Sequence, residues 1–312
     1  MLHDAIIVGG SFAGLSAALQ LARARRNVLV IDAGLPRNRF ASESHGVLGH
    51  DGKPGPQLLA EARQQLLAYP TAKVFNGRVS RVQTGEAGFV VEAEDGLRWF
   101  TGRRLLLATG VSDVLPEIPG LRERWGQTVV HCPYCHGYEI GGGAVGVLGT
   151  GPMSVHQAMM FADWGEVTLF TQGVVEVSAE EQAQLAARKV RVEPSPIAEL
   201  QGTAPALDGV QLQDGRRVAI KALLVGTQVR MASPLAEALG CAFDDSPFGP
   251  IVRIDAWGAT SVDGVYAAGD MARVPHSITF AMASGVAAGI RLHSSLITED
   301  ANRGETAATA AV

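Results

Sequence analysis

Cys132 and Cys135 stand in the run His131-Cys132-Pro133-Tyr134-Cys135-His136-Gly137-Tyr138. Two thiols at this spacing can close a disulfide within one turn. If the turn opens a helix, the N-terminal dipole lowers a thiol pKa and increases the supply of thiolate. Redox work is therefore the leading reading of the pair. A zinc reading needs two further ligands. His131 and His136 adjoin the cysteines, which is poor spacing for one tetrahedral site, and no second C-x-x-C exists, so no metal is expected. The third reading is an inert structural turn. His136 directly follows the second thiol, and an imidazole titrating near about 6.5 can exchange a thiol proton at neutral pH. Its competing role is a hydrogen bond to a loop. The third cysteine, Cys241, has no sequence partner and reads as a small buried residue.

A second chemistry is written in glycines. Gly9 and Gly14 occupy the first and third positions of G-x-G-x-x-G, with Ser11 replacing the middle glycine and Gly10 and Ala13 between them. Such a turn aims a helix N-terminus at a pyrophosphate, and Asp32, at the end of the next apolar run, is placed to accept from ribose hydroxyls. The alternative is a structural strand–helix turn. Ala108-Thr109-Gly110 and Ala268-Gly269-Asp270 each end an apolar run in small residues, leaving room for an extended ligand.

These residues need elements to hold them. Ala5-Ile6-Ile7-Val8 reads as a buried parallel strand, Leu15, Ala18, Leu19 and Ala22 as one face of a helix, and Val28–Ile31 as a second strand. The plan recurs: 144–148 as strand, Gly149-Thr150-Gly151-Pro152-Met153-Ser154 as turn, 155–164 as helix and 166–170 as strand. Each unit is followed by short strands, with turns at Gly85, Asp95-Gly96 and Asp214-Gly215, and by a closing strand at 105–107 or 223–225. The fold class is α/β, with two Rossmann-like dinucleotide-binding domains. The expected order is a first domain over 1–115, an inserted domain carrying C-x-x-C over 116–245, a return to the first domain over 246–300, and a flexible tail over 301–312. The chain's 312 residues, 47% hydrophobic and 18% charged, can bury two cores. A net charge of −5 argues against a nucleic-acid partner working by bulk charge. No apolar run of about 18 residues and no basic leader is evident, so no membrane partner is expected.

The two glycine-terminated strands, the first turn and the C-x-x-C together resemble the low-molecular-weight thioredoxin reductase family of FAD-dependent pyridine nucleotide-disulfide oxidoreductases. The resemblance covers nearly the whole chain. It implies that the FAD domain is discontinuous and the inserted domain is of NAD(P) type. It implies FAD contacts from Gly9, Gly10, Ser11, Ala13, Gly14, Asp32, Thr109, Gly110, Gly269 and Asp270. It sets Val82 near the adenine and Ser277, Ile278 and Thr279 at the flavin pyrimidine, although the family's Arg-Gln-Ala is absent there. It makes Cys135 the flavin-proximal sulfur and Cys132 the interchange thiol. Where the family has Asp after the second cysteine, this chain has His136, and His276 is a second acid–base candidate. His45 and His50, in a glycine-rich loop, would line the flavin or the substrate entry unless they are simply solvated.

One departure bears on electron flow. After the strand at 166–170 the family carries a basic cluster for the NADPH 2′-phosphate, and this chain has Thr171-Gln172-Gly173. An NADH site wants a carboxylate at that position, so the pattern for either nicotinamide is incomplete. The sequence also resembles a subgroup, the dithiol oxidases of gliotoxin and holomycin biosynthesis, in which Cys-x-x-Cys-His-Gly-Tyr recurs and oxygen takes the electrons. Ferredoxin-linked bacterial relatives also lack the basic cluster. The expected partner is a thioredoxin-like protein or a small-molecule dithiol or disulfide. The expected form is a cytoplasmic homodimer, and the non-enzymatic rival is a flavoprotein redox sensor.

Overall fold

The computed structural model describes residues 2–93, 96 and 98–310. It divides into two compact units, one of residues 1–37, 56–112 and 229–312, the other of residues 38–55 and 113–228. In chain order the first unit opens with β1 (Leu2–Val8), α1 (Phe12–Arg23), β2 (Val28–Asp32), α2 (Gly55–Leu67) and β3 (Ala72–Asn76). It continues with β4 (Val79–Gly85), β5 (Gly88–Ala93), β6 (Trp99–Leu107) and β7 (Val111–Val114). The sheet order is β3-β2-β1-β6-β5-β4, with β1, β2, β3 and β6 parallel and β4 and β5 added as an antiparallel meander.

The parallel strands are apolar without alternation because both faces are covered. Ala5, Ile7, Val28, Val30 and Leu106 enter one core cluster, while Ile6, Leu29, Ile31, Leu105 and Leu107 enter the other.

The second unit repeats the plan with β8 (Val129–Val130), α3 (Pro133–Ile140), β9 (Ala144–Leu148), α4 (Met153–Phe161), β10 (Glu166–Phe170), α5 (Ala179–Ala187) and β11 (Arg191–Glu193). A three-stranded antiparallel sheet follows, of β12 (Ile197–Gln201), β13 (Gly209–Leu212) and β14 (Arg217–Val218), and β15 (Ala222–Val225) then joins a parallel sheet of order β11-β10-β9-β15-β8. The helix expected over 155–164 begins earlier, at Met153.

The chain returns through β16 (Gln228–Met231), α6 (Leu235–Ala238), β17 (Phe243–Ser246), β18 (Gly249–Val252), β19 (Val265–Ala267) and α7 (Ile278–Ala310). β19 pairs with β6 in parallel, which places the Gly269-Asp270 end beside the Ala108-Thr109-Gly110 end.

Three expected boundaries are corrected. The return begins at residue 229 and not 246, because Val229, Leu235, Ala236 and Cys241 are buried in the same cluster as Ile31 and Leu107. Residues 38–55 group with the second unit, where Phe40 lies so close to Gly126 that a Cβ there would sit 2.6 Å from the Phe40 Cβ. The tail drawn from 301 is helical through Ala310, and residues 311 and 312 lie outside the described residues. Of the turn expected at Asp95-Gly96, Gly96 has φ +64° and Asp95 lies outside the described residues.

By length and composition Ile278–Arg303 could cross a bilayer, contrary to the expectation that no stretch would. Its inward face is explained by packing on α1. Ala288, Leu292 and Leu296 are fully buried with Ala17 and Leu21, and a Cβ at Gly289 would lie 2.9 Å from the Ala17 carbonyl oxygen.

Candidate active site

The first turn leaves no room for a side chain at its glycines. Gly9 has φ +108°, a backbone conformation that favours glycine, and a Cβ there would run into the Ala108 carbonyl. A Cβ at Gly14 would strike the Gly9 carbonyl oxygen. Gly10 N–H donates to Asp32 Oδ1 at 3.1 Å, so the carboxylate ending β2 is tied to the turn itself. Ser11 is the N-cap of α1 in extended conformation, and its side chain makes no capping bond to the helix amides. Gly269 (φ +78°) and Asp270 open a 3-10 turn, and a Cβ at Gly269 would lie 2.9 Å from the Ala13 Cβ. Thr109 Oγ1 contacts Met271 Sδ at 3.5 Å, and Gly110, at φ +69°, faces open space. The structure thus brings together the ends of β1, β2, β6 and β19 around an uncapped helix N-terminus.

The other expected contacts lie in separate places. Ser277 caps α7, its Oγ accepting from Phe280 N–H at 3.1 Å, with Ile278 and Thr279 in the first turn that follows. Val82 sits on the outer strand β4, partly buried against the core. His276 Nδ1 lies 2.7 Å from Arg37 Nη1, which also donates to Asp270 Oδ2 at 3.0 Å, and the Phe248 ring lies 6.1 Å from the imidazole. Arg37 was not singled out by the sequence reading. Its only signal is a cation five residues beyond Asp32.

In the second unit Cys132 and Cys135 form a disulfide with Cα atoms 5.4 Å apart. Cys132 is the N-cap of α3, Pro133 is the first helical residue, and Gly141 in left-handed conformation (φ +69°) stops the helix. Both sulfurs therefore lie in the first turn, where the helix dipole favours a thiolate. His131 stacks on Trp125, the ring centroids 5.7 Å apart. His136 is partly buried, and that burial holds its pKa below the ordinary imidazole range. The Glu139 carboxylate pulls that pKa back up, and His45 opposes it. Tyr134 and Tyr138 are 73% and 86% exposed on the same helix, and Tyr134 meets Trp164 edge-on at 5.3 Å. His45 approaches Glu139, Asp51 and Glu43, whereas His50 is exposed. Among the described residues no three His, Cys, Asp or Glu side chains gather as a metal site would need. Cys241 is buried, which pushes its thiol pKa up, and lies 3.8 Å from Thr260 Oγ1.

The second glycine turn is built differently from the first. Ser154, 1% exposed, accepts from Thr150 N–H at 3.0 Å and Gly151 N–H at 3.3 Å, so the amides that would face a phosphate are already occupied. At the end of β10, Thr171 is 6% exposed and Gln172 Oε1 accepts from Ile197 N–H. Glu193, register partner of Phe170, is held bidentately by Arg216 at 2.7 and 2.8 Å, and Arg216 also binds Asp214. Arg188 is tied to Asp163 Oδ1 at 2.5 Å and to the Met159 carbonyl.

The family model for pyridine nucleotide-disulphide oxidoreductases matches residues 3–285. The chain belongs to that family. Thioredoxin reductase tcpT of Claviceps purpurea is 34% identical over 310 residues, covering 95% of each chain. The crystal structure of an oxidoreductase from Agrobacterium tumefaciens is 49% identical with TM-score 0.91, covering 96% of this chain and 99% of that one. The crystal structure of HlmI is 36% identical with TM-score 0.91, covering 99% of this chain and 97% of that one.

This pyridine nucleotide-disulphide oxidoreductase is accordingly an FAD-dependent, thioredoxin reductase-like enzyme acting on sulfur groups. The first unit fits FAD. Gly9, Gly10 and Gly14 leave no room for a Cβ, no side chain of the N-cap bonds the α1 amides, and Asp32 and Asp270 flank the turn. In the second unit the Thr150 and Gly151 amides are engaged by Ser154, and Arg216 and Arg188 by carboxylates, which disfavours a nicotinamide dinucleotide there.

Proposed function

We propose that this enzyme oxidises an external dithiol through Cys132 and Cys135 and delivers the two electrons to molecular oxygen, R(SH)₂ + O₂ → RS₂ + H₂O₂. The observation that carries the reading is the second glycine turn, whose phosphate-facing amides are occupied by Ser154. With hydride entry from a nicotinamide disfavoured, the exchange-competent Cys132–Cys135 pair favours entry as thiols over entry from a one-electron donor such as ferredoxin.

The chain's own residues supply the exchange chemistry. A substrate thiolate attacks Cys132 Sγ, the Cys132–Cys135 bond breaks, and Cys135 leaves as a thiolate stabilised by the α3 N-terminus. The substrate's second sulfur then attacks the mixed disulfide and releases Cys132. His136 takes and returns the proton. Tyr134 and Tyr138 offer exposed aromatic faces to a compact apolar substrate body. Bound FAD supplies the passage of electrons from the dithiol pair to the final acceptor. In the first unit Gly9, Gly10, Ser11, Ala13, Gly14, Asp32, Thr109, Gly110, Gly269 and Asp270 hold FAD, and Arg37 orients Asp270.

A second reading runs the same pair in the reductive direction, toward a disulfide such as that of a thioredoxin-like protein. The similarity to thioredoxin reductase tcpT favours it. We also read the enzyme as a homodimer, supported by Phe280, Ile290 and Ile297 left exposed on α7, and as cytoplasmic, supported by a chain with only three cysteines.

The deciding measurement is oxygen uptake by the purified holoenzyme with dithiothreitol as sole reductant. One oxygen consumed and one hydrogen peroxide formed per dithiol, over many turnovers, supports the reading. A single stoichiometric reduction that then stops under air refutes it and leaves the redox sensor.

A further inference from the structure

Arg37 lies beyond the end of β2, and Asp270 and His276 lie beyond the end of β19. All three belong to the first unit. One guanidinium nitrogen, Arg37 Nη1, donates to Asp270 Oδ2 at 3.0 Å and stands 2.7 Å from His276 Nδ1. That nitrogen carries two hydrogens, one for each partner, and a guanidinium accepts nothing. His276 Nδ1 is therefore the acceptor. An imidazole that accepts at Nδ1 is neutral and carries its one proton on Nε2. The cluster is sheltered, with the Arg37 and Asp270 side chains only 16% and 21% exposed and the Phe248 ring 6.1 Å from the imidazole. It also adjoins the first glycine turn. Asp270 follows Gly269, where a Cβ would lie 2.9 Å from the Ala13 Cβ in the first turn of α1, and His276 precedes Ser277, whose Oγ caps α7.

We propose that Arg37 is a positioning residue of the FAD site, which clamps Asp270 and His276 on one nitrogen and fixes His276 as a neutral hydrogen-bond donor through Nε2, outside the acid–base chemistry. The inference rests on the FAD site assigned above and deepens it, and it is independent of the direction of electron flow. By residue type alone His276 is an acid–base candidate, and its bond to Arg37 removes it from that role. To take up a proton at Nδ1 the imidazole would have to leave the guanidinium and then face its positive charge. At Nε2 it already holds a proton. Asp270 shares the same guanidinium nitrogen, so its carboxylate is close enough to pull the imidazole toward the protonated form, and the cation between them opposes that pull. Arg37 engages Asp270 at Oδ2, and the carboxylate it orients can accept a ligand hydroxyl at Oδ1. The clamp also ties the segment that leads from Asp270 into α7 to the segment that follows Asp32. These are the chain segments that carry the two carboxylates flanking the glycine turn.

The tautomer is directly measurable. Full-length holoenzyme labelled with nitrogen-15 histidine is read by long-range proton–nitrogen correlation at pH 7.5, and the His276 signals are those missing from His276→Gln. Wild type should show a single tautomer protonated on Nε2, and Arg37→Met should replace it with a mixture. FAD affinity is read in parallel from the fluorescence of flavin released on dilution. Arg37→Met should bind FAD roughly 10-fold more weakly, the scale of one charge-assisted bond left without its orienting partner. His276→Leu removes the donor and should weaken FAD about fivefold, whereas His276→Gln keeps an N–H at similar reach and should recover most of that loss. An imidazolium, or a proton on Nδ1, in FAD-loaded wild type would overturn the inference and leave the FAD assignment standing. Equal losses in His276→Leu and His276→Gln would overturn the donor role in the same way. Wild-type protein that takes up no FAD would overturn both.

Discussion

NADPH should reduce the flavin of this enzyme slowly or without saturation, and the structure sets the scale. A 2′-phosphate is ordinarily clamped by a guanidinium through two charge-assisted bonds. At about 1.5–3 kcal/mol each, their loss costs roughly 3–6 kcal/mol. One factor of ten per about 1.4 kcal/mol turns that into roughly 10²–10⁴ in affinity, so a micromolar site moves to roughly 0.1–10 mM. Arg188 is bound to Asp163 and the Met159 carbonyl, and Arg216 to Glu193 and Asp214. The pyrophosphate fares no better, since Thr150 and Gly151 N–H already donate to Ser154. NADH avoids the phosphate penalty, but Glu193, the carboxylate beside the end of β10, is spoken for by Arg216. The assay is anaerobic stopped-flow bleaching of the flavin by NADPH, NADH and dithiothreitol in parallel. The dithiol should be the fastest. Saturable bleaching by micromolar NADPH would refute the argument and restore ordinary thioredoxin reductase chemistry.

Cys132→Ser should leave the Cys135 thiol alone at the α3 N-terminus and give a long-wavelength thiolate–flavin absorption band that Cys135→Ser lacks; the reverse spectra would exchange the two assigned roles. Asp270→Ala removes the Arg37 partner and the carboxylate proposed to hold FAD. It should lower FAD affinity by roughly 10–100-fold, on the scale of one charge-assisted bond of about 1.5–3 kcal/mol, read by flavin release on gel filtration. Gly14→Ala forces a Cβ into the Gly9 carbonyl, and the strain, typically about 1–3 kcal/mol, should appear as a lower Tm and as protein purified with little flavin. His3, His136 and His293 all have pKa values lowered by burial, so the unfolded chain binds more protons than the folded one just below the ordinary histidine value of about 6.5. Stability is then fully present above that value and lost as pH falls through the folded pKa values. Tm should drop between pH 7.5 and 5.5, and His136→Gln should flatten that slope.

The apolar end of β1 and strands β2, β9 and β15 were legible because each is an apolar run ended by glycine or aspartate, and a buried parallel strand tolerates little else. The glycine turn was legible for a related reason. Gly9 and Gly14 are demanded by backbone contacts, and backbone demands leave a fixed spacing in sequence. The return of the chain was legible as a strand at 265–267 but not as a boundary. Val229, Leu235 and Cys241 carry no sign of which core they join, and that choice is made by tertiary packing alone. Arg37 with Asp270 and His276, and His45 with Glu139, were missed for the same reason, since each joins residues far apart in the chain.

Glu139 was within reach of the sequence, because its i+4 spacing from Cys135 puts it on the thiol face of any helix that starts at Pro133. Ser154 is the more instructive case. As sequence it is only a small residue in the third-glycine position of a nucleotide turn, compatible with binding. As structure its hydroxyl is an acceptor aimed back at the amides that a phosphate would need. Ser11 differs from a glycine by a CH₂OH group and makes no such bond, and in that turn the Gly10 N–H is tied to Asp32 Oδ1 instead. Two serines, each near the start of a Rossmann-type helix, therefore have opposite consequences, and what separates them is position. Ser11 is the N-cap, with its backbone extended and its side chain making no bond to the helix amides. Ser154 stands inside the first turn of α4, where its side chain points back along the helix over the turn it has just left. The same hydroxyl takes two amides of one dinucleotide turn and none of the other, and this difference is the structural argument for electrons entering the enzyme as thiols.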